Sequence, residues 1–366
     1  MNLNKQSITE TLKGVKSPAG DISITESGEL KNVQVFGTDV DVDLEIKSPA
    51  LHIRKKLEND IENALTATFG ELNVRINITA KPLPAGPQGP ASMSRVKNII
   101  AVASGKGGVG KSTITANLAV GLAKQGFKVG VIDADIYGPS IPMMFDVMTD
   151  RPTVDVIEGK QYMLPVENYG VKVMSIGFFA DPGQAVVWRG PMATKALKQM
   201  FGDVYWGELD HLLLDLPPGT GDVHLSIVQS LAITGAIIVS TPQEVALADA
   251  RKGVAMFQLE SVNVPVLGLV ENMAWFTPDE LPDNRYYIFG KDGAKGLSEQ
   301  LNVPLLAQIP LVQSVREAGD VGRPALLQES TPAAKQFMDL AEAVTEQVQI
   351  RNSTQRPTSK VEIHNR

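Results

Sequence analysis

Gly105, Gly110, Lys111 and Ser112 satisfy the spacing G-x-x-x-x-G-K-[S/T] inside the run Gly105-Lys106-Gly107-Gly108-Val109-Gly110-Lys111-Ser112. Glycines at these positions let successive backbone N–H groups turn toward one point, which is what a chain of phosphate oxygens requires. The Lys111 ammonium would neutralise the β- and γ-phosphate oxygens, and the Ser112 hydroxyl would hold Mg²⁺. An apolar run, Ile99 to Ser104, leads into the loop, and a helical stretch from Lys111 to about Gln125 leaves it. A strand would therefore deliver the loop, and a helix N-terminus would add its partial positive charge. The expected ligand is a nucleoside triphosphate, ATP, with Mg²⁺.

Two acidic segments stand where such a site needs carboxylates. Asp133-Ala134-Asp135 ends the apolar run that follows the loop's helix. Asp215-Leu216-Pro217-Pro218-Gly219-Thr220-Gly221-Asp222 follows the apolar Leu212-Leu213-Leu214. In open α/β sheets, ligands bind outside the carboxyl ends of the strands, so both segments are expected at the nucleotide. Either one alone reads equally as a turn or a helix cap.

The elements that position these residues are legible as short apolar runs separated by helical stretches. The runs are Ile99 to Ser104, Val129 to Ala134, Leu212 to Leu216, Ala236 to Ser240, Val266 to Val270 and Leu305 to Ile309. Continuous apolar strands are buried on both faces of a parallel sheet, so the fold class is α/β, a doubly wound, mostly parallel sheet. This nucleotide domain is expected over residues 96–349, ending in a helix over 332–349.

A small α+β domain is expected before it, over residues 1–80. Ile8 and Leu12 suggest a short helix, and Ser17-Pro18-Ala19-Gly20 a turn. Val33 and Val35 mark a first strand. Val40, Val42, Leu44 and Ile46 alternate with Asp41, Asp43 and Glu45, the period of a half-buried strand, and Leu72, Val74, Ile76 and Ile78 repeat it. Ile53, Leu57, Ile61 and Leu65 recur every fourth residue and predict an amphipathic helix that Gly70 ends. The order is α-β-β-α-β. Residues 81–95, dense in proline and glycine, read as a linker, and residues 350–366 as a mobile polar tail.

Composition narrows the function classes. Over 366 residues, 43% apolar and 20% charged residues describe an ordinary globular chain rather than a disordered one. The net charge of -7 would repel a phosphate backbone, so no nucleic-acid partner is expected. No run approaches the roughly 18–20 apolar residues that span a bilayer, and no apolar segment follows Met1-Asn2-Leu3-Asn4-Lys5. Val361 and Ile363 are too few to hold the tail on a membrane surface. No membrane partner is expected, and the location is expected to be cytoplasmic. The chain has no cysteine, which removes disulfides, thiolate ligands and thiol nucleophiles together. The histidines His52, His211, His224 and His364 have no metal-ligand spacing and read as ordinary surface or strand-end residues.

Lys106, directly after the first glycine, resembles the signature lysine of the deviant Walker A P-loop ATPases, the group of the Min and Par ATPases, nitrogenase iron protein and the Mrp/ApbC carriers. Further stretches are similar to the Mrp/ApbC family of iron-sulfur cluster carriers: Asp133 to Ser140 (DADIYGPS), Trp188 to Met192 (WRGPM), Asp215 to Asp222 (DLPPGTGD), Thr241 to Glu244 (TPQE) and Glu271 to Met273 (ENM). The resemblance covers roughly residues 96–345, and the N-terminal unit resembles the small domain of iron-sulfur assembly factors. It implies an ATP-hydrolysing homodimer that carries a cluster to apoproteins. It further implies that Lys106 reaches nucleotide phosphates across the dimer, that Asp135 orients the attacking water, and that Asp133 supports Mg²⁺ through water. Asp215 becomes the Walker B carboxylate, Gly219 lies near the γ-phosphate, and Asn272 contacts adenine, although asparagine is equally common at a strand-end turn.

One departure stands out. The family usually places a C-x-x-C pair soon after the Glu-Asn-Met segment, and Ala274 to Phe289 contains none. Asp279, Glu280 and Asp283 lie there, but carboxylates are poor hosts for a sulfide cluster, and a solvated turn is the expected reading. ATP chemistry thus rests on the chain's own residues, and cluster carriage on the resemblance alone. The alternative is a positioning or segregation ATPase of the Min/Par type, which predicts a basic surface or a terminal amphipathic helix. A reductase like the nitrogenase iron protein is disfavoured by the missing thiols.

Overall fold

A computed structural model describes residues 3–17, 22–46, 51–70, 72–80, 91–136, 138–179, 190–278, 280–281, 283–328, 331–355 and 358. The turn at 18–20, most of the expected linker, Trp188, Arg189, Asp279 and His364 lie outside them. Contacts divide the chain into two units, Met1–Pro84 with Gln349–Pro357, and Ala85–Val348 with Thr358–Arg366.

The first unit runs α1 (Lys5–Leu12), β1 (Leu30–Phe36), β2 (Asp39–Ile46), α2 (Leu51–Phe69) and β3 (Asn73–Ala80), the α-β-β-α-β order the apolar periods predict. Asn4 caps α1 by accepting from the Ser7 backbone N–H at 2.9 Å, while Ser7 Oγ accepts from the Asn4 N–H at 3.0 Å. β1 pairs antiparallel with β2, and β2 parallel with β3. Val40, Val42, Leu44 and Ile46 turn their face of β2 inward, against Ile8, Leu12, Leu57, Ile61 and Leu65. Period-2 and period-4 apolar positions thus meet in one core.

The second unit holds β4 (Val96–Ala103), α3 (Lys111–Lys124), β5 (Val129–Asp133), α4 (Ile141–Met144), β6 (Thr153–Ile157), β7 (Lys160–Leu164), β8 (Val166–Asn168) and β9 (Val171–Ser175). It continues with α5 (Gly190–Gly202), β10 (Leu209–Asp215), α6 (Asp222–Ser230), β11 (Gly235–Ser240), α7 (Glu244–Gln258) and β12 (Val266–Phe276). The last elements are α8 (Gly293–Leu301), β13 (Leu305–Leu311), α9 (Gln313–Asp320) and α10 (Pro332–Thr354), whose residues from Gln349 on group with the first unit. Eight strands form one sheet in the order β13-β12-β11-β4-β10-β5-β9-β8, parallel except where β8 meets β9. All six predicted apolar runs are strands of it. The four central strands β11, β4, β10 and β5 are buried almost throughout, as strands covered on both faces must be.

Three expectations are corrected. β6 to β9 carry no continuous apolar run and were not foreseen; β6 and β7 form a separate hairpin whose first strand is exposed along nearly its whole length. The last helix continues past 349 to Thr354, into the stretch read as tail, and Arg351 and Ser353 are buried there. His211 and His224 are not surface residues: they are 3% and 2% exposed, His211 on β10 with its ring edge-on to Phe127, His224 in the first turn of α6. No helix among the described residues is long and apolar enough to cross a membrane.

Candidate functional site

Register aligns the carboxylates. β10 lies between β4 and β5, and Asp215 at its end stands opposite Val102 on one side and Asp133 on the other. Asp133 in turn stands opposite Ser175 at the end of β9. The Gly105–Ser112 loop leaves β4 at this same edge and enters α3, so loop, Asp133 and Asp215 converge as their spacing predicts.

The loop's glycines are required for two different reasons. A Cβ at Gly105 would fall 2.2 Å from the backbone carbonyl of Asp249 in α7, so close approach excludes any side chain there. Gly110 has φ +81° and caps α3 in the left-handed conformation, and a Cβ there would also strike the Asn272 amide. The neighbouring segment runs beside the loop. Leu216 N donates to Val102 O at 3.0 Å, Gly219 N donates to Ser104 O at 2.9 Å, and Pro218 packs on Gly107.

Lys111 and Asp215 form a buried ion pair, Nζ to Oδ2 at 2.8 Å, with side chains 6% and 0% exposed. Ser112 Oγ donates to Asp215 Oδ2 at 2.6 Å, and Thr115 Oγ1 donates to Oδ1 at 2.7 Å. Asp133 is fully buried and accepts from Ser175 Oγ at 3.0 Å and from the backbone N–H groups of Ile141 and Asp135 at 3.2 Å each. Burial, with the Asp215 charge beside it, pushes the Asp133 carboxyl up to about 7 against the opposing pull of Lys111 and its donors.

The other predicted residues are placed as follows. Val109 is buried, while Lys106, Gly107 and Gly108 are exposed; the Lys106 carbonyl accepts from Ser104 Oγ at 2.9 Å, and its side chain joins none of the hydrogen bonds above. Asp135 is half-buried. Asn272 is 7% exposed and donates from Nδ2 to Val109 O at 2.8 Å. A register shift after Asn272 and a left-handed Met273, φ +55°, bend β12 at that point. Glu280 and Asp283 are exposed. Thr115 was missed although its spacing four residues after Lys111 puts both on one helical face. Ser175 and His224 carried no signal, since only sheet register and burial bring them to the site.

Comparison with known families decides the relationship. The family described as NUBPL iron-transfer P-loop NTPase matches residues 95–345, and that of the iron-sulfur cluster assembly protein matches residues 5–78. The chain belongs to the NUBPL iron-transfer P-loop NTPase family. The iron-sulfur cluster carrier protein of Synechocystis is 41% identical over 348 residues, covering 94% of this chain and 98% of that one. The mitochondrial iron-sulfur protein required for NADH dehydrogenase of Arabidopsis thaliana is 49% identical over 253 residues, 68% of this chain and 78% of that one. A solved nucleotide-binding protein in complex with ADP, from Archaeoglobus fulgidus, is 40% identical, covers 68% of this chain and 94% of its own, and superposes with a TM-score of 0.57.

Within this NUBPL-type site the donor set suits some groups and not others. Ser112 Oγ and Asp215 Oδ2 are hard oxygens that already meet, which fits Mg²⁺. An iron-sulfur cluster wants thiolates, and the chain has none. Among the described residues no three histidine, aspartate or glutamate side chains gather to hold a metal ion either.

Proposed function

We propose that this chain binds and hydrolyses ATP with Mg²⁺, works as a homodimer, and uses that cycle to deliver iron-sulfur clusters to apoproteins. The observation that carries the reading is the meeting of a glycine-rich loop, Lys111, Ser112, Asp133 and Asp215 at one sheet edge. Full-length identity to an iron-sulfur cluster carrier supports the delivery role over that of a positioning ATPase.

In the hydrolytic step the backbone amides of Gly107 to Lys111 grip the phosphate chain. Lys111 exchanges Asp215 for the β- and γ-phosphate oxygens, and Ser112 and Asp215 hold the metal ion. Bound Mg²⁺ supplies neutralisation of charge on the phosphate oxygens. Asp135 would orient a water for in-line attack on the γ-phosphorus, where the new P–O bond replaces the bond to the leaving ADP oxygen and the water's proton passes to phosphate oxygen, and Asp133 would help to hold Mg²⁺ through water. Lys106, exposed on the loop, reaches the phosphates bound by the second subunit, and Asn272 faces the adenine. The cluster is cargo, and with no thiol in the chain its ligands are the cysteines of another protein.

The test is anaerobic reconstitution with iron and sulfide, followed by visible absorption and iron quantitation with and without ATP. The expected result is Mg²⁺-dependent ATP turnover and no stoichiometric cluster on the chain alone. A stoichiometric cluster would overturn the assignment of ligands to another protein. Absence of ATP turnover would overturn the hydrolytic reading.

A further inference from the structure

We propose that His224 is a positioning residue of the nucleotide site, whose imidazole is paired only when the Leu216–Gly221 segment has closed on a triphosphate. This rests on the reading of Gly105–Ser112 as the ATP loop and adds a residue to it.

Three observations meet at this side chain. His224 is the third residue of α6, the helix that follows the segment Gly219 and Pro218 fasten beside the phosphate loop. Its ring is 2% exposed, and Nε2 is enclosed without a hydrogen-bond partner among the described residues. Burial, and to a lesser extent the charge of Lys111, push its pKa down to about 4, so the ring is neutral at pH 7. A neutral imidazole carries one donor and one acceptor, and an enclosed nitrogen that uses neither is unfavourable. An apolar side chain of the same size would avoid that cost. A histidine here is therefore most readily understood if another arrangement of the same segment satisfies it.

Nucleotide binding changes the groups around this ring. On that reading Lys111, now paired with Asp215 at 2.8 Å, would turn to the phosphates, and the segment bonded beside the loop through Gly219 N and Ser104 O would shift with it. If Nε2 gains its partner in that arrangement, the free imidazole disfavours the open state and the paired one favours the closed state. The affinity for a triphosphate then rises relative to a diphosphate, without His224 touching the reacting atoms.

The test compares adenylyl imidodiphosphate and ADP, each with Mg²⁺, by calorimetry on the full chain and its His224→Leu and His224→Gln variants. Wild-type protein that takes up neither nucleotide would overturn the ATP site and this inference with it, a result distinct from the variant outcomes that overturn the inference alone. The expected result for His224→Leu is a loss of about 5- to 150-fold in affinity for the triphosphate analogue, with ADP affinity within about threefold and no fall in Tm without nucleotide. His224→Gln, which keeps a donor and an acceptor, should recover most of the loss. A fall in Tm with an unchanged ratio of the two affinities would make His224 a packing residue and overturn the proposal. Should the leucine variant fail to fold, His224→Asn substitutes for it: its shorter amide should lose the discrimination that glutamine keeps, and equal discrimination in both would also overturn the proposal.

Discussion

Lys111 Nζ lies 2.8 Å from Asp215 Oδ2 in a part of the molecule where neither side chain reaches bulk water. In the proposed ATP cycle the same lysine turns to the phosphates, so the pair would serve folding and nucleotide binding in turn. Replacing Lys111 by Met leaves a buried carboxylate held only by Ser112 and Thr115, which should cost about 3 kcal/mol, or about 10 °C in Tm. Adding Asp215→Asn should restore most of the stability and none of the nucleotide binding. Thermal melts and calorimetry on the single and double variants check this, and recovery of binding in the double variant would refute the phosphate role of Lys111.

Gly108 and Gly110 share a φ of +81° but differ in surroundings. A Cβ at Gly108 meets nothing within 4 Å, whereas one at Gly110 falls 2.2 Å from Asn272 Nδ2. Gly108→Ala should therefore cost only the left-handed backbone term, about 1 kcal/mol. Gly110→Ala should cost more, roughly 2–4 kcal/mol, because it also displaces the amide that holds Val109. Urea unfolding of the two variants gives the difference directly, and equal losses would contradict the close contact.

The sequence was informative where one physical requirement fixes residue types at short range. Strands covered on both faces must be apolar throughout, so all six runs of the large sheet were legible, and so was the alternating face of β2. The phosphate loop was legible for the same reason, since its glycines and Lys111 lie within eight residues. What escaped depends on long-range placement. Ser175 reaches Asp133 only because β9 lies beside β5, a pairing that no local pattern encodes. His211 and His224 read as surface or strand-end residues because imidazole is compatible with either environment, and only packing, for His211 against Phe127, decides. The extension of α10 to Thr354 escaped because polar residues there share a helix with buried Arg351.

Lys106 stands exposed on the loop while Lys111 is buried, a difference that separates their expected effects. Lys106→Ala should leave ATP binding to the isolated chain within about threefold and lower kcat by about 100-fold or more, as removal of a transition-state donor does. Mixing it with a Lys111→Ala chain should restore part of the activity, because each intact lysine can then serve the shared site. Steady-state turnover of the single variants and of their mixture checks this; an unchanged kcat for Lys106→Ala would remove it from the mechanism.

Acid should destabilise the large unit through His211. Burial holds its folded pKa near 4, against 6.5 for the free side chain, with Lys97 acting in the same sense and Asp210 opposing. The unfolded chain takes up this proton as pH falls below 6.5, whereas the folded one refuses it until about 4. The contribution is therefore fully present above pH 6.5 and is lost on descending to pH 4, by up to about 3 kcal/mol. Asp133 acts in the opposite direction, since its raised pKa makes folding less favourable as pH climbs from 3.8 toward 7. A whole-protein titration mixes the two, so the comparison must be made by difference. His211→Phe, which fills the place beside Phe127 with a ring that cannot titrate, should remove the histidine component while Asp133 remains. Urea midpoints measured from pH 7 to pH 4 should then fall less steeply for the variant than for the wild type. Parallel curves would mean that His211 takes up its proton in the fold as readily as in the unfolded chain, which would overturn the prediction.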